Sequence, residues 1–116
     1  HSVGGSYRLD AGSFIGPGAE EALQQYRIDT CFIGTPAFTS DGVFSSQNTI
    51  ESHFKRQALK ISNRRVVLSD HSKFNRTTFF FFFRAHDIDI LVVDHRFEGI
   101  ENLHELGVEV LVADEV

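Results

Sequence analysis

Apolar residues along this chain follow two rhythms. Short apolar runs bounded by Gly, Asp or Ser read as strands, and apolar residues spaced three and four apart between them read as helices. The runs predict strands over 28–34, 65–69, 77–83, 89–93 and 108–112, with a weaker, bulged one over 2–8 around Gly4-Gly5. A helix begins at Gly16-Pro17, since proline suits a first turn and Glu20 and Glu21 complement the dipole there. Ala19, Ala22, Leu23 and Tyr26 form its stripe. Residues 35–47, rich in Gly, Ser and Thr, read as a long loop. Asn48 then reads as an N-cap, with Glu51 completing a capping box. The helix that follows carries Ile50, Phe54, Ala58 and Ile61 on one face and Lys55, Arg56 and Lys60 on the other. A third helix is lined by Phe97, Ile100, Leu103 and Leu106 and stopped by Gly107.

Alternating strands and helices imply a mostly parallel sheet with right-handed crossovers. The expected class is α/β: a three-layer, Rossmann-like arrangement with helices on both faces. Near-continuous apolar strands fit such double coverage. Five consecutive phenylalanines, Phe79 to Phe83, cannot all face one side of a strand. A strand covered on both sides, or by a partner subunit, is therefore expected there. If the strands are parallel neighbours, Gly34, Asp70 and Asp94 share one sheet edge, where ligands bind in open α/β sheets.

Composition narrows the options. A length of 116 residues fits one domain or a large part of one, and 41% hydrophobic residues suffice for a core. Net charge is −5 and the lysines and arginines are scattered, so this piece lacks the basic face that gripping DNA requires. Cys31 is the single cysteine and can form no intrachain disulfide, which suits a reducing cytoplasm. It reads as a small buried hydrophobe. No signal peptide is visible, and the longest apolar run is too short to span a bilayer. The chain starts at His1 without methionine, and is expected to be a fragment of a longer protein.

Candidate chemistry centres on Leu68-Ser69-Asp70-His71-Ser72-Lys73-Phe74, directly after a strand. A lysine there suits phosphate, and the acid can accept hydrogen bonds from sugar hydroxyls. A solvated βα turn explains the same residues. In the 35–47 loop, Gly42 and the hydroxyls of Thr35, Ser45 and Ser46 suit an oxyanion, aided by the N-terminus of the helix at Asn48. A flexible surface loop is the plainer reading. Glu51 is either a cap residue or a ligand-contacting acid, and Lys55 one turn on suits a surface ion pair with it. The six histidines show no metal-ligand spacing, so no metal site is expected. No G-x-S-x-G elbow occurs, which argues against a serine hydrolase.

One ordered set of motifs carries a family resemblance. It comprises Gly4-Gly5, Gly16-Pro17 with Ala19-Glu20, Asp29-x-x-Phe32-Ile33-Gly34, Asp41-Gly42, Lys55-Arg56, Ser69-Asp70-His71-Ser72-Lys73-Phe74, Asp87-Ile88-Asp89-x-Leu91-Val92-x-Asp94 and Gly107-Val108-Glu109-Val110. In this order the chain resembles the C-terminal sensor domain of DeoR-type transcriptional regulators. The resemblance runs almost end to end, and is most specific over 70–74 and 87–94. It implies a fold similar to ribose-5-phosphate isomerase, and a repressor whose sensor binds a phosphorylated sugar. It also implies two parts missing here: an N-terminal winged helix-turn-helix and the first sensor strand with its phosphate loop. Residues 1–116 would then be a partial sensor domain. Carried over by motif, the ligand contacts are Gly34, Thr35, Asp41, Gly42, Glu51, Asp70 and Lys73. Lys73 would meet the ligand's charged end, while Glu51 and Asp70 bind hydroxyls or orient Lys73. The segment Thr35-Pro36-Ala37-Phe38 lacks the acidic pair carried by the related isomerases.

Three functions follow. The first is a cytoplasmic, non-enzymatic sensor without cofactor, homo-oligomeric because such regulators read paired half-sites, and meeting operator DNA only through another domain. The second is a sugar-phosphate isomerase with Glu51 as base and Lys73 stabilising an enediolate. The third is an oligomerisation module with a vestigial pocket, using the Phe-rich strand.

Overall fold

Apolar, largely β-branched runs set the central sheet. The computed structural model describes residues 1–115. In chain order its elements are β1 (Ser6–Arg8), β2 (Ser13–Ile15), α1 (Pro17–Leu23), β3 (Ile28–Gly34), β4 (Ala37–Phe38), β5 (Val43–Ser46), α2 (Thr49–Lys60), β6 (Ser62–Leu68), β7 (Phe80–Arg84), β8 (Ile90–Val93), α3 (Ile100–Glu105) and β9 (Glu109–Val112). Strands β3, β6, β8 and β9 form a parallel sheet in that order. The fold is thus mixed α/β with a mostly parallel centre, in keeping with a Rossmann-like arrangement.

Register decides what each sheet face carries. Phe32 lies opposite Val66, Val66 opposite Ile90, and Ile90 opposite Glu109. Directly opposed residues share a face. The alternate positions Cys31, Ile33, Val67, Leu91, Val93 and Val112 point into the core, where Leu59 of α2 and Leu103 of α3 meet them. On the other face Val66 and Ile90 are buried at the centre, while Phe32, Leu68 and Leu111 stay 65%, 45% and 39% exposed. The expected second helical layer is not among the described residues. The first helix, α1, packs chiefly on β2 and α2 instead.

The predicted 35–47 loop is instead largely a hairpin. β4 and β5 pair antiparallel, and β7 adds on the far side of β5. Two- and four-residue strands give too little periodicity to read, and their pairing depends on the distant β7. Gly42 closes the turn at φ 78°, and a Cβ there would lie 2.7 Å from the Cβ of Ala85. Only glycine fits that close approach without displacement.

A bulge resolves the run of phenylalanines. Phe44 opposes Phe83 and Ser45 opposes Phe81, which leaves Phe82 as the extra residue. Alternation breaks at that point, so Phe82 and Phe83 are both buried while Phe79 and Phe81 are exposed. Within the chain the strand is therefore covered on one side, so of the two expectations coverage of both sides by this chain is not met. Phe83 stacks on Phe44 at 4.5 Å between ring centroids, and Phe44 on Phe38 at 5.8 Å.

Other elements shift modestly. The weak N-terminal strand shortens to β1 and pairs with β2, which its sequence did not announce. Within α2 the buried residues are Ser52, Ala58 and Leu59, while Ile50 is half exposed. The helix is thus rotated from the expected stripe, and Lys55 turns inward.

Phe82→Ala is expected to cost about 3–5 kcal/mol in chemical denaturation, as large-to-small core changes do. Phe79→Ala, at an exposed position of the same run, should change stability by less than ~0.5 kcal/mol.

Candidate functional site

The parallel order brings three strand ends to one edge. Gly34 opposes Leu68, and Leu68 opposes Val92, so the loops after β3, β6 and β8 lie side by side. Gly34, Asp70 and Asp94 therefore occupy the same end of the sheet. Two bonds tie these loops: the Ser69 hydroxyl donates to the Thr35 carbonyl at 3.3 Å, and the Ser69 N–H to the Val92 carbonyl at 3.0 Å.

A cleft of about 560 Å³ opens beside β3 and the start of α2. Gly34, Thr35, Glu51 and Lys73 line it, joined by Arg8, Lys55 and Arg76. Four cations thus face one carboxylate. Glu51 Oε2 accepts from Arg8 at 3.0 Å, and its Oε1 lies 3.2 Å from Lys55 Nζ. Lys55 also donates to the Gly34 carbonyl at 2.9 Å. Among the described residues, Lys73 and Arg76 make no salt bridge. The first turn of α2 adds the partial positive charge of its N-terminus. Asn48 caps that turn, its side chain accepting from the Glu51 N–H at 2.7 Å. The reciprocal half of the capping box is absent, because the Asn48 N–H donates to Ser46 Oγ at 3.2 Å instead. That frees the Glu51 carboxylate for the cleft.

The other expected contacts sit elsewhere. Asp70 caps a 3₁₀ turn, His71–Lys73, by accepting from the Ser72 N–H at 2.8 Å. Its bond with the Ser72 hydroxyl holds its carboxyl below the usual range. Asp70 does not line the cleft; it shapes the turn that delivers Lys73. The Thr35 hydroxyl is engaged with the Ala37 carbonyl at 3.0 Å. Asp41, bonded to the Thr39 hydroxyl, and Gly42, packed near Ala85 and Leu106, lie at the hairpin turn outside the cleft. The family resemblance had placed them at the site, whereas the hairpin carries them away. Arg8, Lys55 and Arg76 were not foreseen. Only Lys55 left a signal, its i, i+4 spacing from Glu51.

A second polar group gathers at the same sheet edge. Asp94 Oδ1 accepts from the backbone N–H groups of His71 at 2.7 Å and His95 at 2.8 Å. Its Oδ2 lies 2.9 Å from His71 Nδ1. The His71 N–H bond, first among these contacts, pulls the Asp94 carboxyl from 3.8 down to about 2. His95 Nδ1 meets Asp114 Oδ2 at 2.7 Å, which raises the imidazole's pKa. His71, Asp94 and His95 each bring a metal-ligating atom within 4.8 Å of the others. Linear spacing hid this cluster, since its members come from the ends of different strands.

These features define a class: an α/β domain with a cation-rich cleft at the carboxyl ends of parallel strands. The sequence profile of the DeoR C-terminal sensor domain matches residues 1–95, and the chain belongs to that family. It is 33% identical over 97% of its length to a protein of Escherichia coli O157:H7 assigned as the aga operon transcriptional repressor. Identity is 30% over 81% of the chain to the transcriptional repressor AccR of Agrobacterium fabrum. It is 31% over 86% to the glycerol-3-phosphate regulon repressor of Haemophilus influenzae. The chain spans 43%, 37% and 39% of these relatives. It is thus a sensor domain of the DeoR type, and these relatives are transcriptional repressors. No helix among the described residues is long and apolar enough to cross a membrane.

Asp94 makes stability depend on acid. Its folded pKa is depressed, so its contribution is complete above the unfolded value near 3.8 and is lost as pH falls toward about 2. Denaturation midpoints measured between pH 4 and 2 should fall less steeply in Asp94→Asn than in the wild type, from a lower starting point.

Proposed function

We propose that this domain binds a phosphorylated sugar or related metabolite in the cleft beside β3 and α2, and that occupancy alters how an attached winged helix-turn-helix grips its operator. The observation that carries this reading is the pair of cations without salt-bridge partners among the described residues, Lys73 and Arg76, beside the N-terminus of a twelve-residue helix. Such a site attracts a phosphate dianion. Glu51 offers carboxylate oxygens to sugar hydroxyls, while Arg8 and Lys55 hold it in place. Gly34, Thr35 and Lys73 complete the contacts, and Asp70 orients Lys73 through its turn. Asp41 and Gly42 act indirectly, by fixing the hairpin whose last strand ends at Ser46 on the cleft. The name of one relative, a glycerol-3-phosphate regulon repressor, is compatible with a phosphorylated effector.

Regulation requires the effector to bind one of two conformations more tightly. The DNA-binding domain belongs to the whole regulator, which works as a cytoplasmic homo-oligomer on paired half-sites. The isomerase reading is the weaker one. Both oxygens of Glu51 sit in ion pairs with Arg8 and Lys55, contacts that a base reaching for a substrate proton would have to give up.

A thermal-shift screen of the full-length protein against sugar phosphates and their free sugars tests the reading. One phosphosugar should raise the midpoint while its free sugar does not. Lys73→Ala should weaken that ligand at least about tenfold, equivalent to ~1.4 kcal/mol, and leave the unliganded midpoint near wild type. Unchanged affinity in Lys73→Ala would exclude the cleft as the effector site.

A further inference from the structure

We propose that His71, Asp94 and His95 form a binding site for one divalent transition-metal ion of the zinc, cobalt or nickel type. Two imidazoles and a carboxylate are the donor set such ions favour, and a poor one for magnesium or calcium, which take oxygen ligands. The three ligand atoms already lie within 4.8 Å of one another. His71 Nδ1 and Asp94 Oδ2 lie 2.9 Å apart as a hydrogen-bonded pair, and opening it by a few tenths of an ångström gives the ~3.3 Å edge of a tetrahedral ion with ~2.0–2.1 Å bonds.

The surroundings are built to hold these ligands still. Asp94 Oδ1 is fixed by two backbone N–H groups, while Oδ2 meets His71 Nδ1 in a bond whose proton an ion would replace. Asp114 holds the His95 ring through Nδ1 at 2.7 Å and leaves its other nitrogen free. A carboxylate behind an imidazole orients the ring and raises its basicity, as in established metal centres. The side chains of His71, Asp94 and His95 are 50%, 41% and 58% exposed, so an ion can enter and keep water on its open positions. Neither His71, Asp94 nor His95 lines the cation-rich cleft. The site therefore stands apart from the effector reading. An ion here would join the loop after β6 to the loop after β8.

Titrating zinc(II) alone into the full-length protein, free of any affinity tag, tests this by calorimetry and chelator competition. One equivalent should bind. His71→Ala and His95→Ala should each weaken it at least about tenfold, and Asp114→Asn should weaken it less. His104→Ala, a histidine outside the cluster, should bind as wild type. If His71→Ala fails to fold, His95→Ala carries the test, because among the described residues that ring's one side-chain hydrogen bond is to Asp114. No stoichiometric binding, or equal affinity in His95→Ala and wild type, overturns the proposal. So would an equal loss in His104→Ala. Displacement of zinc(II) by equimolar magnesium(II) would overturn the assignment of ion class.

Discussion

Everything at the functional edge depends on the register of three parallel strands. Gly34, Leu68 and Val92 lie in one row across β3, β6 and β8. Side chains alternate along a strand, so a one-residue slip would turn Ile33, Val67 and Leu91 out of the core and Phe32 into it. The same slip would separate the loops that carry Thr35, Ser69 and Asp94. Burial on one face thus fixes the polar geometry at the end. Each fully buried aliphatic or aromatic side chain contributes on the order of 1.5–3 kcal/mol, more than any single polar contact at the edge. Packing is therefore the term that sets position, and the hydrogen bonds between loops refine it.

The charges at this edge are divided rather than pooled. Beside β3, cations outnumber the single carboxylate of Glu51, and two of the four are already held by it. Beside β8, carboxylates and imidazoles gather instead, with Asp94 clamped by backbone N–H groups. These environments lie on either side of one 3₁₀ turn, with His71 serving one and Lys73 the other. A domain of net charge −5 can thus present a locally positive cleft without a basic face overall.

Much of this was legible in the sequence, and the failures have physical causes. β3 was read over its observed span because its apolar run ends cleanly at Gly34. The shared edge of Gly34, Asp70 and Asp94 followed from strand–helix alternation alone. The Asn48 cap was readable because capping is local chemistry. The β4–β5 hairpin was not, because its strands are short and stabilised by β7, more than thirty residues away in sequence. Phe82 could not be placed inward together with Phe83, because a bulge breaks the two-residue period on which strand reading rests. Arg8 and Arg76 reach the cleft from remote segments. The His71–Asp94–His95 group is likewise tertiary.

The turn from His71 to Lys73 works as a short beam with unequal supports. At its start, a backbone N–H and a ring nitrogen are both bonded to Asp94. At its far end, the Lys73 ammonium has no ion-pair partner among the described residues. Three residues offer little slack between the two ends. The backbone position of Lys73 is therefore tied to the grip at Asp94. Where this cleft-lining lysine is rooted is thus a property of the end of β8, a strand that does not itself line the cleft.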